Sequence, residues 1–214
     1  MKLAADLDTR IVPRSLWQRI RAQPERAPEH IALAAADRFG AQAAHWASGA
    51  GQGKRAARRA VRKHVRLARL EGGALGLGGF VTAVPDLVAL GWVQSGMVFH
   101  VAAAYGHDPT DPMRPAELLT LTGFYDTPEQ AREALDGTGK SLARATVERG
   151  LSGGQERTLF NRLLRFAGRQ AAERSAGRLV PLIGAPIGAL QNGGATKRLG
   201  RRAIAYYGGR QARP

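Results

Sequence analysis

Twenty-one consecutive residues, Leu87 to His107, contain no Asp, Glu, Lys or Arg. In a chain whose charged residues make up 23% of the total, such a stretch has to be withdrawn from water. Two destinations fit. One is the centre of a helical bundle, where a helix apolar on every side is expected. The other is a bilayer, since about 20 apolar residues suffice to span one. Gln94, Ser95 and His100, with glycines at 91, 96 and 106, interrupt the stretch and favour the bundle. A second uncharged stretch, Leu179 to Thr196, contains Pro181 and Pro186 and so bends rather than spans. Both read as the buried centre of one bundle. The alternative is that one or both dip into a membrane, which irregular apolar backbone can do only where something satisfies its polar groups.

The rest of the sequence reads as helix. No stretch keeps the period-two alternation of a strand, whereas helical spacing with caps and glycine stops dominates. The expected helices are Ser15 to Ala22, Pro28 to Ala47, a basic one from Lys54 to Leu70, an apolar one from Asp86 to Tyr105, Pro115 to Phe124, 128–149 and 154–176. Ser48 to Gly53 reads as a loop, and the glycine-rich segment 72–84 as a break ahead of Pro85. The fold class is all-α, a single multi-helix bundle with a glycine-rich apolar central hairpin. Residues 1–53 form an N-terminal helical segment that runs into a helical domain over 54–210. The 214 residues suffice for one real core. With aromatics at only 6%, Ala, Leu and Val must supply most of its packing. The absence of cysteine excludes disulfides and thiolate metal sites. No apolar run opens the chain, so no secretory leader is expected.

The formal net charge is +15. An excess of that size favours polyanionic partners: anionic lipid headgroups, nucleic acid or an acidic protein. The densest run lies on the basic helix. Ala57, Val61, Val65 and Ala68 share one face, while Arg58, Arg62, Arg66 and Arg69 share another that Arg55, Arg59 and Lys63 widen. Lys197, Arg198, Arg201 and Arg202 form a second run. A cationic amphipathic helix of this kind can lie on an anionic membrane, although its modest apolar face permits only shallow insertion. It can also track phosphates, or be no more than the solvated outside of the bundle. No helix-turn-helix, zinc-finger or aromatic RNA-binding pattern occurs, so nucleic acid rests on charge alone.

Two phrases raise and then fail the question of nucleotide hydrolysis. Gly137-Thr138-Gly139-Lys140-Ser141 reads like the end of a P-loop, and Leu151-Ser152-Gly153-Gly154-Gln155 like an ABC-ATPase signature. A P-loop needs a glycine where this chain has Ala134, and a hydrophobic strand before it. The preceding text is charged and helical. No apolar run ending in a magnesium-holding carboxylate follows. Thr127 to Gln130 and Ser152 to Gln155 read better as capping boxes, and Gly137 and Gly139 as a weak point in one helix.

The central block, glycines 76, 78 and 79 followed by Thr82-Ala83-Val84-Pro85-Asp86-Leu87, then Tyr105-Gly106 and the turn Asp108-Pro109 to Asp111-Pro112, resembles the EcsC family of bacterial proteins. So does the ending, from Val180-Pro181-Leu182-Ile183-Gly184-Ala185 through Asn192, Thr196 and Leu199-Gly200 to "AIAYYGGR". The likeness covers about residues 70 to 210. Asp-Pro-Met-Arg replaces the more acidic text expected after the turn. The resemblance implies a helical protein, cytoplasmic or attached to the inner side of the membrane, and implies no ATPase chemistry.

Three functions remain. The leading one is a non-enzymatic, peripheral membrane-associated or lipid-binding protein whose cations meet anionic lipid and whose apolar segments bury in the bilayer or wrap an acyl chain, with no cofactor and no metal. The second is a hydrolase-like enzyme, metal-dependent or not, centred on Asp86, His100 and the turn His107, Asp108 and Asp111. Asp86 and His100 on one straight helix would stand about 21 Å apart, too far to share a metal. Asp86 reads otherwise as a cap of the apolar helix, His100 as a core histidine, and Asp111 before Pro112 as an N-cap. The third function is a binder of nucleic acid or of an acidic protein partner through the basic helix.

Overall fold

The computed structural model describes residues 12–75, 83–137 and 185–209. Its organising element is the uncharged stretch, which forms the 22-residue helix α4 (Ala83–Ala104). Trp92, Val93, Met97, Val98, Phe99 and Val101 are all at most 1% exposed although they point in every direction around the axis. Only a helix surrounded by others achieves that. The surrounding elements are α2 (Ala27–Ala50), α3 (Lys54–Leu75), α5 (Arg114–Leu121) and α7 (Ala185–Gly209). Two shorter helices, α1 (Arg14–Ala22) and α6 (Pro128–Leu135), complete the set, with a 3-10 turn at Pro24–Arg26. No strand occurs among the described residues. The fold is an all-α bundle. Leu16 and Ile20 of α1, Phe39 of α2 and Tyr207 of α7 belong to the same apolar cluster as α4.

The α3–α4 pair is the central hairpin. Gly53 N–H donates to the Ala104 carbonyl at 2.6 Å, and at mid-length His64 meets Gly96, so the two helices run antiparallel. From Val88 to Ala104 the side chains of α4 are buried or half-buried among the neighbouring helices. Among the described residues no helix is long and apolar enough to cross a membrane.

Several boundaries differ from the sequence expectation. Helix α2 runs on to Ala50 through the expected loop, and the chain turns only at Gly51 and Gly53, both in left-handed conformations (φ 74° and 84°). Helix α4 begins at Ala83, ahead of Pro85, because a proline in the first turn forfeits no helical hydrogen bond. The expected helix 128–149 stops at Leu135, with Gly137 at φ 79° turning the chain away. Its start is as expected, the Thr127 hydroxyl accepting from Gln130 N–H at 3.3 Å with Pro128 in the first turn. The largest departure is α7, 25 residues of helix through a glycine-rich text that promised none. Antiparallel to α3, it sets Gly200 over Val61 and Gly193 over Arg69, where a Cβ would stand 2.6 Å and 2.7 Å from those side chains. These glycines lower intrinsic helix propensity, but they allow an approach that side chains would block. The 154–176 helix, the Ser152 capping box, and the phrases 138–141 and 151–155 lie outside the described residues.

Candidate functional site: a basic helix face and an amphiphilic cavity

Helix α3 divides cleanly. Ala56, Ala57, Ala60, Val61, His64, Leu67 and Ala68 are buried, whereas Arg55, Arg58, Arg59, Arg62, Arg66 and Arg69 are exposed and Lys63 half-buried. The 3.6-residue period alone produces this split once the alanine side is taken up by α4 and α7. Among the described residues no carboxylate lies within ion-pair distance of the six arginines. Helix α7, lying along α3, carries the second basic run. Lys197, Arg198 and Arg201 are exposed and Arg202 is half-buried.

That second run separates by helical phase. Arg198 and Arg202, four residues apart, line a partly open pocket of about 140 Å³ between α2, α4, α5 and α7. Ile31, Val88, Leu90, Leu118, Phe124 and Leu199 form its apolar wall. Gln94, Ser95 and Thr122 are its uncharged polar side chains. Ser95 donates to the Gly91 carbonyl at 2.7 Å, Thr122 to Leu118 at 2.8 Å, and the Gln94 amide to the Thr196 hydroxyl at 3.2 Å. One Gln94 amide hydrogen and the two hydroxyl hydrogens are thus used within the protein, and the charged residues among the lining are Arg198 and Arg202. The Gln94–Thr196 bond also ties the first uncharged stretch to the end of the second.

The residues of the enzymatic alternative do not converge. Asp86 lies one turn inside α4 rather than capping it, while His107, Asp108 and Asp111 follow the other end of that helix, about 27 Å away at 1.5 Å per residue. His100 lies between, buried, with its Nδ1–H donating to the Gly96 carbonyl at 2.7 Å. The 107–111 turn is a structural tie. The Asp108 carboxylate accepts from Thr110 N–H at 2.8 Å and from its hydroxyl at 2.6 Å; these bonds, the hydroxyl's first, lower its pKa. Asp111 accepts from Met113 N–H at 2.8 Å, folding the turn ahead of α5 rather than occupying its N-cap, which is Met113. His107 Nε2–H donates to the Tyr207 carbonyl at 3.2 Å. No group of three or more metal-ligating side chains occurs among the described residues.

Two buried polar clusters went unnoticed in the sequence. In the first, Arg114 is paired with Glu117 and with Asp111 at 3.1 Å, Tyr207 OH donates to Glu117 at 2.9 Å, and the guanidinium lies 5.6 Å over the Tyr207 ring. Burial pulls the Arg114 pKa down, but Glu117, Tyr207 and Asp111 together outweigh it and raise it. Burial and then Glu117 push Tyr207 well up. In the second cluster, the His64 ring lies 5.1 Å from that of His100, tilted by 55°, and His100 also makes an edge contact with Trp46 at 5.2 Å. His64 Nδ1–H donates to Ala60 at 2.9 Å, and its buried Nε2 has no partner. Burial, reinforced by His100, lowers His64 to about 3, and burial lowers His100 to about 4. Both rings are neutral near pH 7. The helical phase of His64 with Ala57, Val61 and Ala68 was the available signal.

The profile described as "EcsC protein family" matches residues 51–211, a span that begins just ahead of α3 and ends just beyond α7. No curated protein and no solved structure matches the chain.

Proposed function

The chain belongs to the EcsC protein family, and from that premise we propose that it is a non-enzymatic, lipid-binding helical protein that docks peripherally on anionic membrane at the cytoplasmic face. The observation that carries this reading is the outward face of α3: six arginines exposed along one rigid helix, unpaired with carboxylates among the described residues. A face of that density attracts acidic headgroups by about 1 kcal/mol per basic residue near the surface. The adjacent α7 carries further exposed cations, Lys197 and Arg201. The docking reading is preferred to the enzymatic alternative because Asp86 and the 107–111 turn stand at opposite ends of α4 and because Asp108 and Asp111 accept hydrogen bonds within their own turn.

Vesicle flotation tests the reading. Binding is expected to phosphatidylcholine vesicles containing 30% phosphatidylglycerol, weakening with salt, and not to pure phosphatidylcholine. The triple substitution Arg58→Gln, Arg62→Gln, Arg66→Gln should lower partitioning by about 100-fold, corresponding to about 3 kcal/mol, while leaving the thermal midpoint near that of the parent. Equal binding to both vesicles, or to neither, defeats the proposal. A DNA fragment titrated over the same salt series is the competing case. Tight, steeply salt-dependent DNA binding without flotation would assign the face to nucleic acid.

A further inference from the structure

We infer, on the premise that α3 docks on anionic lipid, that this helix meets the membrane tilted, with its C-terminal part as the point of entry. Leu70 passes the headgroups and reaches the acyl boundary, while the Lys54 end stays at headgroup level. Among the described residues Leu70 is the large apolar side chain that stays exposed, at 57%. A lone exposed leucine is ordinary; the place of this one is not. It follows Arg66 by four residues and Arg69 by one. It therefore stands on the arginine side of the helix, one turn beyond Arg66, and away from the alanine side taken up by α4 and α7. A surface that draws the arginines in brings the leucine with them.

Cations from two helices gather at that end. Arg66 and Arg69 of α3 and Arg198 of α7 are exposed. Arg69 lies along α7 at Gly193, where a Cβ would stand 2.8 Å from its Cγ and 2.7 Å from its Nε. The Arg198 guanidinium lies beside the next residue, 3.7 Å from where a Cβ of Gly194 would be. Long basic side chains lay their stems along apolar surface and keep their heads among phosphates, so the arginines beside Leu70 do not hold it out. At the other end Lys54, Arg55, Arg58 and Arg59 are exposed, and no exposed large apolar side chain accompanies them among the described residues. Charge thus attracts the whole length of α3, but one end alone gains by leaving water. Leu70 and Arg55 are about 22 Å apart along the axis, and an interfacial helix sinks its apolar side by about 5–10 Å. A shallow tilt brings the leucine to that depth without submerging the Lys54 end.

The chain contains no cysteine, so Leu70→Cys, Arg59→Cys and, on the exposed surface of α6, Gln130→Cys can each carry one nitrobenzoxadiazole label on the full chain. The probe is the phosphatidylglycerol-containing vesicle used for flotation, doped with lipid bearing a nitroxide either on the headgroup or on the acyl chain. The acyl-chain nitroxide should quench the label at position 70 several-fold more than the label at 59, the headgroup nitroxide should quench both, and neither should quench the label at 130. Because the label replaces the leucine, unlabelled Leu70→Gln is the independent measure. It should lower vesicle partitioning roughly tenfold, the value of burying about half a leucine side chain, and keep the parent's thermal midpoint. Its salt dependence should also match the parent's, since every cation remains. A parent that fails to float defeats the docking reading and this inference with it. A parent that floats while the labels at 70 and 59 are quenched alike by the acyl-chain nitroxide, or while Leu70→Gln partitions as the parent does, overturns the tilted entry alone.

Discussion

Lowering the pH should dismantle this bundle from its centre. His64 and His100 sit in the α3–α4 contact, held to about 3 and about 4 by burial, against about 6.5 in the unfolded chain. A histidine with a depressed folded pKa binds fewer protons folded than unfolded. Its contribution is therefore complete above about pH 6.5 and is lost as the pH falls toward the folded value. Both folded values lie below 5, so the loss at pH 5 is governed by the unfolded pKa. Each ring then costs about 2 kcal/mol, and the pair about 4 kcal/mol, between pH 7.5 and pH 5. That is a large part of a typical stability of roughly 5–15 kcal/mol. Urea unfolding followed by tryptophan fluorescence at the two pH values measures it. The comparison is with His64→Leu, His100→Leu, which removes both titrations and also the unpartnered Nε2 of His64. His30, whose pKa burial and then Arg19 also lower, is common to both proteins and cancels. The native chain should lose about 4 kcal/mol more than the variant. An equal loss in the two proteins would refute the assignment of a neutral histidine pair to the core.

Other substitutions probe the packing. Gly200→Ala should destabilise by about 1–3 kcal/mol in urea titrations despite the better helix propensity of alanine, because its Cβ would meet Val61 at 2.6 Å. Gly194→Ala, where the nearest side chain is 3.7 Å away, should be neutral or stabilise by up to about 1 kcal/mol; similar effects at both positions would contradict the close α3–α7 approach. Glu117→Gln, by taking the charge away from buried Arg114, should cost about 3 kcal/mol. Tyr207→Phe should cost about 1 kcal/mol, the value of one hydrogen bond, read from thermal midpoints.

What could be read without coordinates follows from where the information resides. The start of α3 at Lys54, the split of that helix into arginine and alanine faces, the cap at Thr127 and the burial of α4 are local statements of charge and period, and they were legible. Helix α7 was not. Its glycines argue against helix until Val61 and Arg69, more than 120 residues earlier, are seen to need the space. Arg198 and Arg202 were recognisable as cations, but only the placement of α2 and α5 makes them the edge of a cavity. The Arg114, Glu117 and Tyr207 cluster joins residues 90 apart in sequence, and no spacing rule connects them. Asp86 and Asp108 each left two readings open, a polar site or the capping and turning of the chain. Acidic residues beside glycine and proline suggest chemistry, whereas the 107–111 turn spends its carboxylates on its own backbone and on Arg114.

The inward face of α3 is largely alanine, with Ala56, Ala57 and Ala60 each at most 2% exposed, and α4 and α7 occupy it. Among the described side chains of that helix, Leu70, 57% exposed, is the one large apolar group left outside. A sensor of strongly bent vesicles works by filling gaps among loosely packed lipids with a row of bulky side chains; here a single exposed leucine stands beside six exposed arginines. It should respond to how many acidic headgroups crowd a patch far more than to whether that patch is flat or curved.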